Sequence, residues 1–209
     1  MVLDVNVGAP SVDEATLMGR AVARVQELTD LPLCLDSAAA EVLAAGLVAC
    51  HGKALVNSVT AAESHLARIL PLVARHGAAV IGLPIDGDEI PPDPSRRLEL
   101  AARIVEVATG TYGMAIDDIV IDAVALPGGE PSVVDCTLQT IGLLHRELGV
   151  NTTVGASNVS YGKRERSTTS LAFLRAAMAA GLTSAIMDVR APELVEAARH
   201  DAPRRPQDR

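Results

Sequence analysis

Apolar runs of strand length alternate with stretches of helical period from one end of the chain to the other. The short runs lie at residues 2–7, 31–35, 54–56, 78–83, 119–121, 153–155 and 184–187. Between them, amphipathic spacing predicts helices over 12–28, 37–49, 61–75, 95–109, 132–148 and 168–180, with a last short one at 191–199. Ser37 follows a strand, Ser95 follows Pro94, and Pro192 sits in the first turn of the last helix, all of which suit helix starts. Gly77, Gly149 and Gly181 each close a helical stretch, where a glycine readily ends the hydrogen-bond ladder. Seven strands in strict alternation with helices predict parallel βαβ units and an α/β fold. With no glycine fingerprint of a dinucleotide fold, the pattern favours a TIM-type (β/α)8 barrel over a doubly wound sheet.

No low-complexity linker divides the chain, and the longest irregular segment, 84–94 (PIDGDEIPPDP), reads as a loop. The expected organisation is one barrel domain over 1–199 and a polar, proline-rich tail over 200–209 that is frayed. Of 209 residues, 49% are apolar, yet the only aromatic ones are Tyr112, Tyr161 and Phe173, so Leu, Ile, Val and Ala must build the core. A net charge of -8 and so few rings argue against nucleic-acid binding. No apolar run is long enough to span a bilayer, and MVLDVNVGAP lacks the basic-then-apolar order of a signal peptide. Cys34, Cys50 and Cys136 are odd in number and widely spaced, which suits free thiols in a reducing cytoplasm better than a zinc or redox motif.

In a barrel, chemistry gathers at the C-terminal ends of the strands. Those ends are polar almost throughout. LDVN places Asp4 and Asn6 two apart and so on one face; CLDS adds Asp36, ALVNS Asn57, IVIDA Asp122, GASN Asn158 and AIMD Asp188. Only VIGL ends without a polar side chain. A single Asp in such a place often caps the next helix, and Asp188 and Ser37 fit that reading. The set as a whole exceeds what capping needs. A mouth lined by acceptors and amides suits an uncharged heterocycle with several N–H donors, or a divalent cation.

The remaining chemistry is sparse. Lys53 precedes its strand and Lys163 lies in a loop, so no lysine is placed for a Schiff base. His51, His65, His76, His145 and His200 all fall in helices, at their ends or in the tail, which leaves no base for a nucleophilic pair and no His-rich zinc site. The basic cluster in SYGKRERST stands out in an acidic chain. Arg166 is read as the cation beside the mouth, where an anionic ligand tail could lie, and Lys163 and Arg164 as solvated loop residues.

The segments LDVNVGAP, LPLCLDS, GKALVNSV, GAAVIGL, IVIDAVALP and GASNVSYG, in this order and spacing, resemble the methyltetrahydrofolate:corrinoid methyltransferases. These are pterin-binding barrels related to the folate domain of cobalamin-dependent methionine synthase and, more distantly, to dihydropteroate synthase. The resemblance runs from Leu3 to about Asp188. It implies that Asp36, Asn57 and Asp122 hydrogen-bond the pterin ring, with Asp4 and Asn6 beside them. It further implies that Asn158 is the amide reaching the methyl-bearing nitrogen, and that Arg166 lies near the bound folate. The implied reaction moves the methyl group of 5-methyltetrahydrofolate to the Co(I) corrinoid of a partner protein.

Ala123 and Val124 depart from the family's usual Pro-Leu, and Ser170 stands where Asn is common. The family's earlier strand, with its Gly-Glu-Arg-x-Asn signature, has no counterpart before LDVN, so a barrel lacking its first βα unit is expected. The alternatives are a dihydropteroate synthase-like enzyme, a noncatalytic truncated pterin-binding remnant, and a Mg²⁺-dependent lyase in which Asp36 and Asp122 share a cation. Pairing of two copies along an open sheet edge is a further expectation.

Overall fold

A computed structural model describes residues 1–87 and 89–200. Six strands form one parallel sheet in chain order: β1 (Leu3–Asn6), β2 (Leu33–Asp36), β3 (Leu55–Thr60), β4 (Ala79–Leu83), β5 (Ile119–Asp122) and β6 (Asn151–Thr153). The helices are α1 (Glu14–Gln26), α2 (Ala40–Ala49), α3 (Glu63–Arg75), α4 (Pro94–Glu106), α5 (Pro131–Leu143), α6 (Arg166–Ala180) and α7 (Pro192–His200). Alternation of strand and helix is thus as the hydrophobic pattern predicts. The chain divides into two compact units. One is Met1–Leu83 with Arg103–Val120; the other is Pro84–Ala102 with Ile121–Arg209. Strand β5 gives its first two residues to the former and its last two to the latter.

In the first unit, β1 to β4 are parallel neighbours, and β2 is buried on both faces through Leu33, Cys34 and Leu35. Such double burial is the rule for parallel strands covered by helices, and it explains the unbroken apolar run LPLCL. Helix α1 starts because the Asp13 carboxylate accepts from the Thr16 amide (3.1 Å), and it buries Met18 and Val22. Helix α2 approaches that face closely. A Cβ on Gly46 would lie 2.9 Å from Met18 Cγ and 3.1 Å from Leu35 Cδ1, so the glycine is needed for contact rather than flexibility. Helix α3 buries Leu66, Ile69, Leu70 and Val73, the 3,1,3 spacing of one helical face.

In the second unit, β5 runs into a buried segment, Ala123–Val124–Ala125, and the Ala123 amide donates to the Thr153 carbonyl of β6 (3.0 Å). Helix α6 buries Ser170, Phe173, Leu174, Ala177 and Met178. It ends at Gly181 (φ 110°), where the Leu182 amide returns to the Ala177 carbonyl.

Three expectations are adjusted. The run at 184–187 is not a full seventh strand: a single parallel bridge joins Gly155 to Ile186, with 2.9 Å bonds from Ser184 to Thr152 and from Ile186 to Val154. The hydroxyls of Thr183 and Ser184 both donate to the Thr152 carbonyl of β6 (2.9 Å each), so side chains tie the start of the run to the sheet, while Asp188 turns to the Arg190 amide. Helix α2 begins three residues after Ser37, because the Ser37 hydroxyl accepts from the Ala39 amide (3.1 Å) in a turn of its own. Helix α4 begins at Pro94, and Asp93 is the residue that accepts from the Ser95 amide (3.1 Å). His200 closes α7; the rest of the predicted tail lies outside the described residues.

Candidate functional site

Within the first unit, strand register decides which polar side chains share a level. Asn6 pairs with Asp36, Asp36 with Asn57, and Asn57 with Ile81. Residues level in parallel strands point to the same face, so Asn6, Asp36 and Asn57 form one row, at the ends of β1 and β2 and inside β3, which runs on to Thr60. The row stops at Ile81, as the absence of a polar residue in VIGL predicts. Asn6 Nδ2 donates to Asp36 Oδ2 (2.9 Å), and Asn6 Oδ1 accepts from the Gly8 amide (2.9 Å). The Asn6 amide therefore orients the Asp36 carboxylate and leaves its remaining lone pairs available.

Asp4 lies two residues back on the same face, level with Cys34. Its partial burial, and secondarily the nearby Asp36 carboxylate, push its carboxyl above the ordinary value, against hydrogen bonds from the Cys34 thiol and the Asn57 side chain. Burial, followed by Asp4 itself, pushes the Cys34 thiol far up, so it stays a neutral donor. An Asn6→Ala variant is expected to lose ligand affinity roughly three- to tenfold by leaving Asp36 unsupported, about 1 kcal/mol. Titration calorimetry checks this, and unchanged affinity would remove Asn6 from the site.

His65 lies in α3, where the pattern predicts a helix, and its half-buried ring has a supporting role that the pattern does not show. Its Nδ1 accepts from the Thr60 amide (2.9 Å), which places the ring proton on Nε2, 3.2 Å from the Ala38 carbonyl. One neutral imidazole so ties the segments leaving β2 and β3 together, just past Asp36 and Asn57. Its position five residues after a strand-ending Thr is the signal that sequence reading could have used.

Within the second unit, Asp122 ends β5 with Oδ1 accepting from the Val124 amide (2.7 Å). Val124 has φ 59°, a left-handed conformation strained for a β-branched residue. Its carbonyl is fastened from two sides, by Arg97 Nη1 (3.0 Å) and by the Thr137 hydroxyl (3.1 Å). Burial lifts the Asp122 carboxyl to about 6, with the Val124 amide and the Arg97 charge pulling the other way.

Asn158 opens a 3-10 turn, Asn158–Ser160, and its Nδ2 donates to the Ala125 carbonyl (3.2 Å). It lies back against Gly155: a Cβ there would be 2.7 Å from Asn158 Nδ2 and 3.0 Å from its Cγ. The turn is anchored from α6, where the Ser170 hydroxyl donates to Ser160 Oγ (2.8 Å), itself bonded to the Ser157 carbonyl. Ser170, a departure from the family pattern, therefore supports the turn that carries Asn158. Arg166 is exposed, with its guanidinium 5.9 Å from the Tyr161 ring centre. Lys163 Nζ reaches the Gly129 carbonyl at 3.4 Å. Asp188 does not cap α7, which begins at Pro192: its carboxylate accepts from the Arg190 guanidinium and amide, which hold it down at about 2.

A cavity of about 440 Å³ also lies in this unit, lined by residues including Gly129, Val134, Val159, Phe173 and Ala176. None of the predicted site residues lines it. Among the described residues, no group of three or more His, Cys, Asp or Glu side chains is arranged to hold a metal ion. No helix among them is long and apolar enough to cross a membrane. Cys34 and Cys136 are buried free thiols, and Cys50 is half-buried.

Polar rows at the ends of parallel strands, on an α/β framework, define a barrel-type ligand-binding enzyme fold. The profile of the family described as "Pterin binding enzyme" matches residues 1–188, and the chain belongs to that family. It is 34% identical over 198 residues to the methionine synthase of Mycobacterium tuberculosis, a match covering 88% of this chain and 17% of that protein. It is 29% identical over 177 residues to the methylcorrinoid:tetrahydrofolate methyltransferase of Eubacterium limosum, covering 83% and 65% respectively. Among solved structures, a dihydropteroate synthase from Yersinia pestis superposes with TM-score 0.74 at 19% identity, covering 95% of this chain and 80% of that one. The fold is accordingly of the dihydropteroate synthase, TIM-barrel type, and the family resemblance seen in the strand ends holds. The chain spans less than two thirds of the length of each of the two curated relatives.

Proposed function

We propose that this chain binds 5-methyltetrahydrofolate and catalyses transfer of its methyl group to the Co(I) corrinoid of a separate protein. The observation that carries the reading is the level row Asn6–Asp36–Asn57 in a chain of the pterin-binding family. Two carboxylates, Asp36 and Asp122, accept from the ring N–H and amino groups, and the Asn57 amide supplies a donor and an acceptor. That donor set fits a pterin, which presents several N–H groups and no charge on its ring edge. Asn6 supports Asp36, and Asp4 stands two residues back on the same face of β1. Arg166, exposed at the start of α6, suits the anionic tail of the folate.

The partner's corrinoid supplies a nucleophilic cobalt that accepts the methyl group. What this chain must supply is a better leaving group, because a tertiary amine departs poorly. Asn158 donates a hydrogen bond to the methyl-bearing nitrogen, and that bond strengthens as the nitrogen keeps the electron pair of the breaking C–N bond and takes up a proton from solvent, so that neutral tetrahydrofolate leaves. Only an interaction stronger in the transition state than in the ground state raises the rate. The Eubacterium limosum relative is named for the reverse direction. One site lowers the barrier both ways, so direction follows from the partner.

Two measurements test the reading. Calorimetry with 5-methyltetrahydrofolate is expected to show saturable one-to-one binding, and its absence would discard the proposal. Mixing the complex with chemically reduced cobalamin is then expected to give loss of the Co(I) absorbance. Binding without that loss identifies the noncatalytic pterin-binding alternative. Condensation of a pterin pyrophosphate with an aromatic amine in place of methyl transfer identifies the dihydropteroate synthase-like one.

A further inference from the structure

Arg97 is the largest fully buried side chain of the described residues, with 1% of its surface exposed. It lies in the first turn of α4, on the stripe that also carries Leu100, Ala101 and Ile104, where a helix facing a core should present only apolar groups. Its Nε donates to the Pro91 carbonyl (2.7 Å), and its Nη1 donates to the carbonyls of Ala123 (2.8 Å) and Val124 (3.0 Å). Three carbonyls satisfy these donors, and two of them belong to Ala123 and Val124, into which the backbone of Asp122 directly continues.

We propose that Arg97 is the positioning residue for Asp122: it fixes the turn after β5 that presents this carboxylate to its ligand. The proposal rests on Asp122 being a pterin-binding residue, as argued above, but its geometry stands without the ligand. A left-handed Val124 persists only where surrounding bonds over-determine it. Here they come from three elements: Arg97 on α4, Thr137 on α5 and the Asp122 carboxylate itself. With Val124 so held, its amide points at Asp122 Oδ1 and leaves Oδ2 for a ligand donor. The charged and titratable groups around this carboxylate are Arg97, on α4, and beside the guanidinium Cys136, on α5, whose thiol is engaged with the Pro92 carbonyl (3.1 Å).

The test compares Arg97→Met and Arg97→Gln, which remove the charge, with Arg97→Lys, which retains it. The first readout is the ¹³C shift of the Asp122 carboxyl against pH in the ligand-free full chain, assigned by its loss in Asp122→Asn. Removing the opposite charge is expected to raise the Asp122 midpoint by about one pH unit, and Lys to restore most of that shift. The second is affinity for 5-methyltetrahydrofolate against pH, where the same displacement lowers affinity ~2-fold at pH 7 and ~5-fold at pH 6 if the ionised form binds. An unmoved carboxyl midpoint in a folded, charge-free variant overturns the proposal. So does failure of both charge-free variants to fold, which assigns Arg97 to the structure alone. A shifted carboxyl midpoint in a protein that does not bind the folate upholds the role of Arg97 and discards the pterin reading instead.

Discussion

Asp122→Asn is expected to give a more stable protein that binds its ligand poorly. In the unfolded chain this carboxyl loses its proton near 3.8; in the folded protein burial holds the proton to about 6. Between those values the folded state binds more protons, so stability falls as pH rises through the window and stays lowered at pH 7. A two-unit difference corresponds to at most ~3 kcal/mol, and the neutral amide removes that cost while its oxygen still accepts from Val124. The expected gain at pH 7 is ~1–3 kcal/mol in urea unfolding, shrinking to nothing as the wild-type carboxyl protonates toward pH 4. Binding moves the other way. One acceptor is replaced by a group that presents donors to a ligand donor, and a hydrogen bond to a charged group is worth ~1.5–3 kcal/mol, so affinity falls about 10- to 100-fold. A stability gain with unchanged affinity would remove Asp122 from the site, and a loss of both would mean that the carboxylate is structural.

The strand ends were legible because two simple regularities coincide there. Apolar residues alternate with helical spacing along the whole chain, and Asp or Asn stands where a strand must stop. Register then places Asn6 and Asp36, which end their strands, level with Asn57, although β3 runs on to Thr60, which the sequence pattern does not foresee. What the pattern hid lies one step behind those residues. Arg97 escaped because an arginine in an amphipathic helix is counted on its wet face, although Leu100, Ala101 and Ile104 mark its side as buried. His65 left only a faint signal, its place five residues after the Thr60 that ends β3, because its closest bonds run to the Thr60 amide and the Ala38 carbonyl. The left-handed turn at Val124 is also invisible in sequence, because a valine gives no hint of positive φ. Arg97 and His65 bind chiefly to the main chain, and main-chain partners leave little trace in composition or spacing.

The largest effect on rate is expected from Asn158→Ala, with kcat falling about 10²- to 10³-fold while folate affinity stays within a few-fold. The separation follows from when the hydrogen bond is made. In the ligand-free protein the Asn158 amide is spent on the Ala125 carbonyl and lies over Gly155, so it contributes to the reaction only by leaving that place. Gly155→Ala tests the movement itself. The backbone of Gly155 lies outside the positive-φ range, so alanine is tolerated there, yet its Cβ would sit 2.7 Å from Asn158 Nδ2 and evict the side chain. Destabilising the resting position shifts the amide toward any alternative it has, and a population shift of this kind does not remove the donor. Turnover in Gly155→Ala is therefore expected to stay within about threefold of wild type, on the scale of a modest population shift. Turnover as low as in Asn158→Ala would show instead that the amide works from the place where it rests against Gly155.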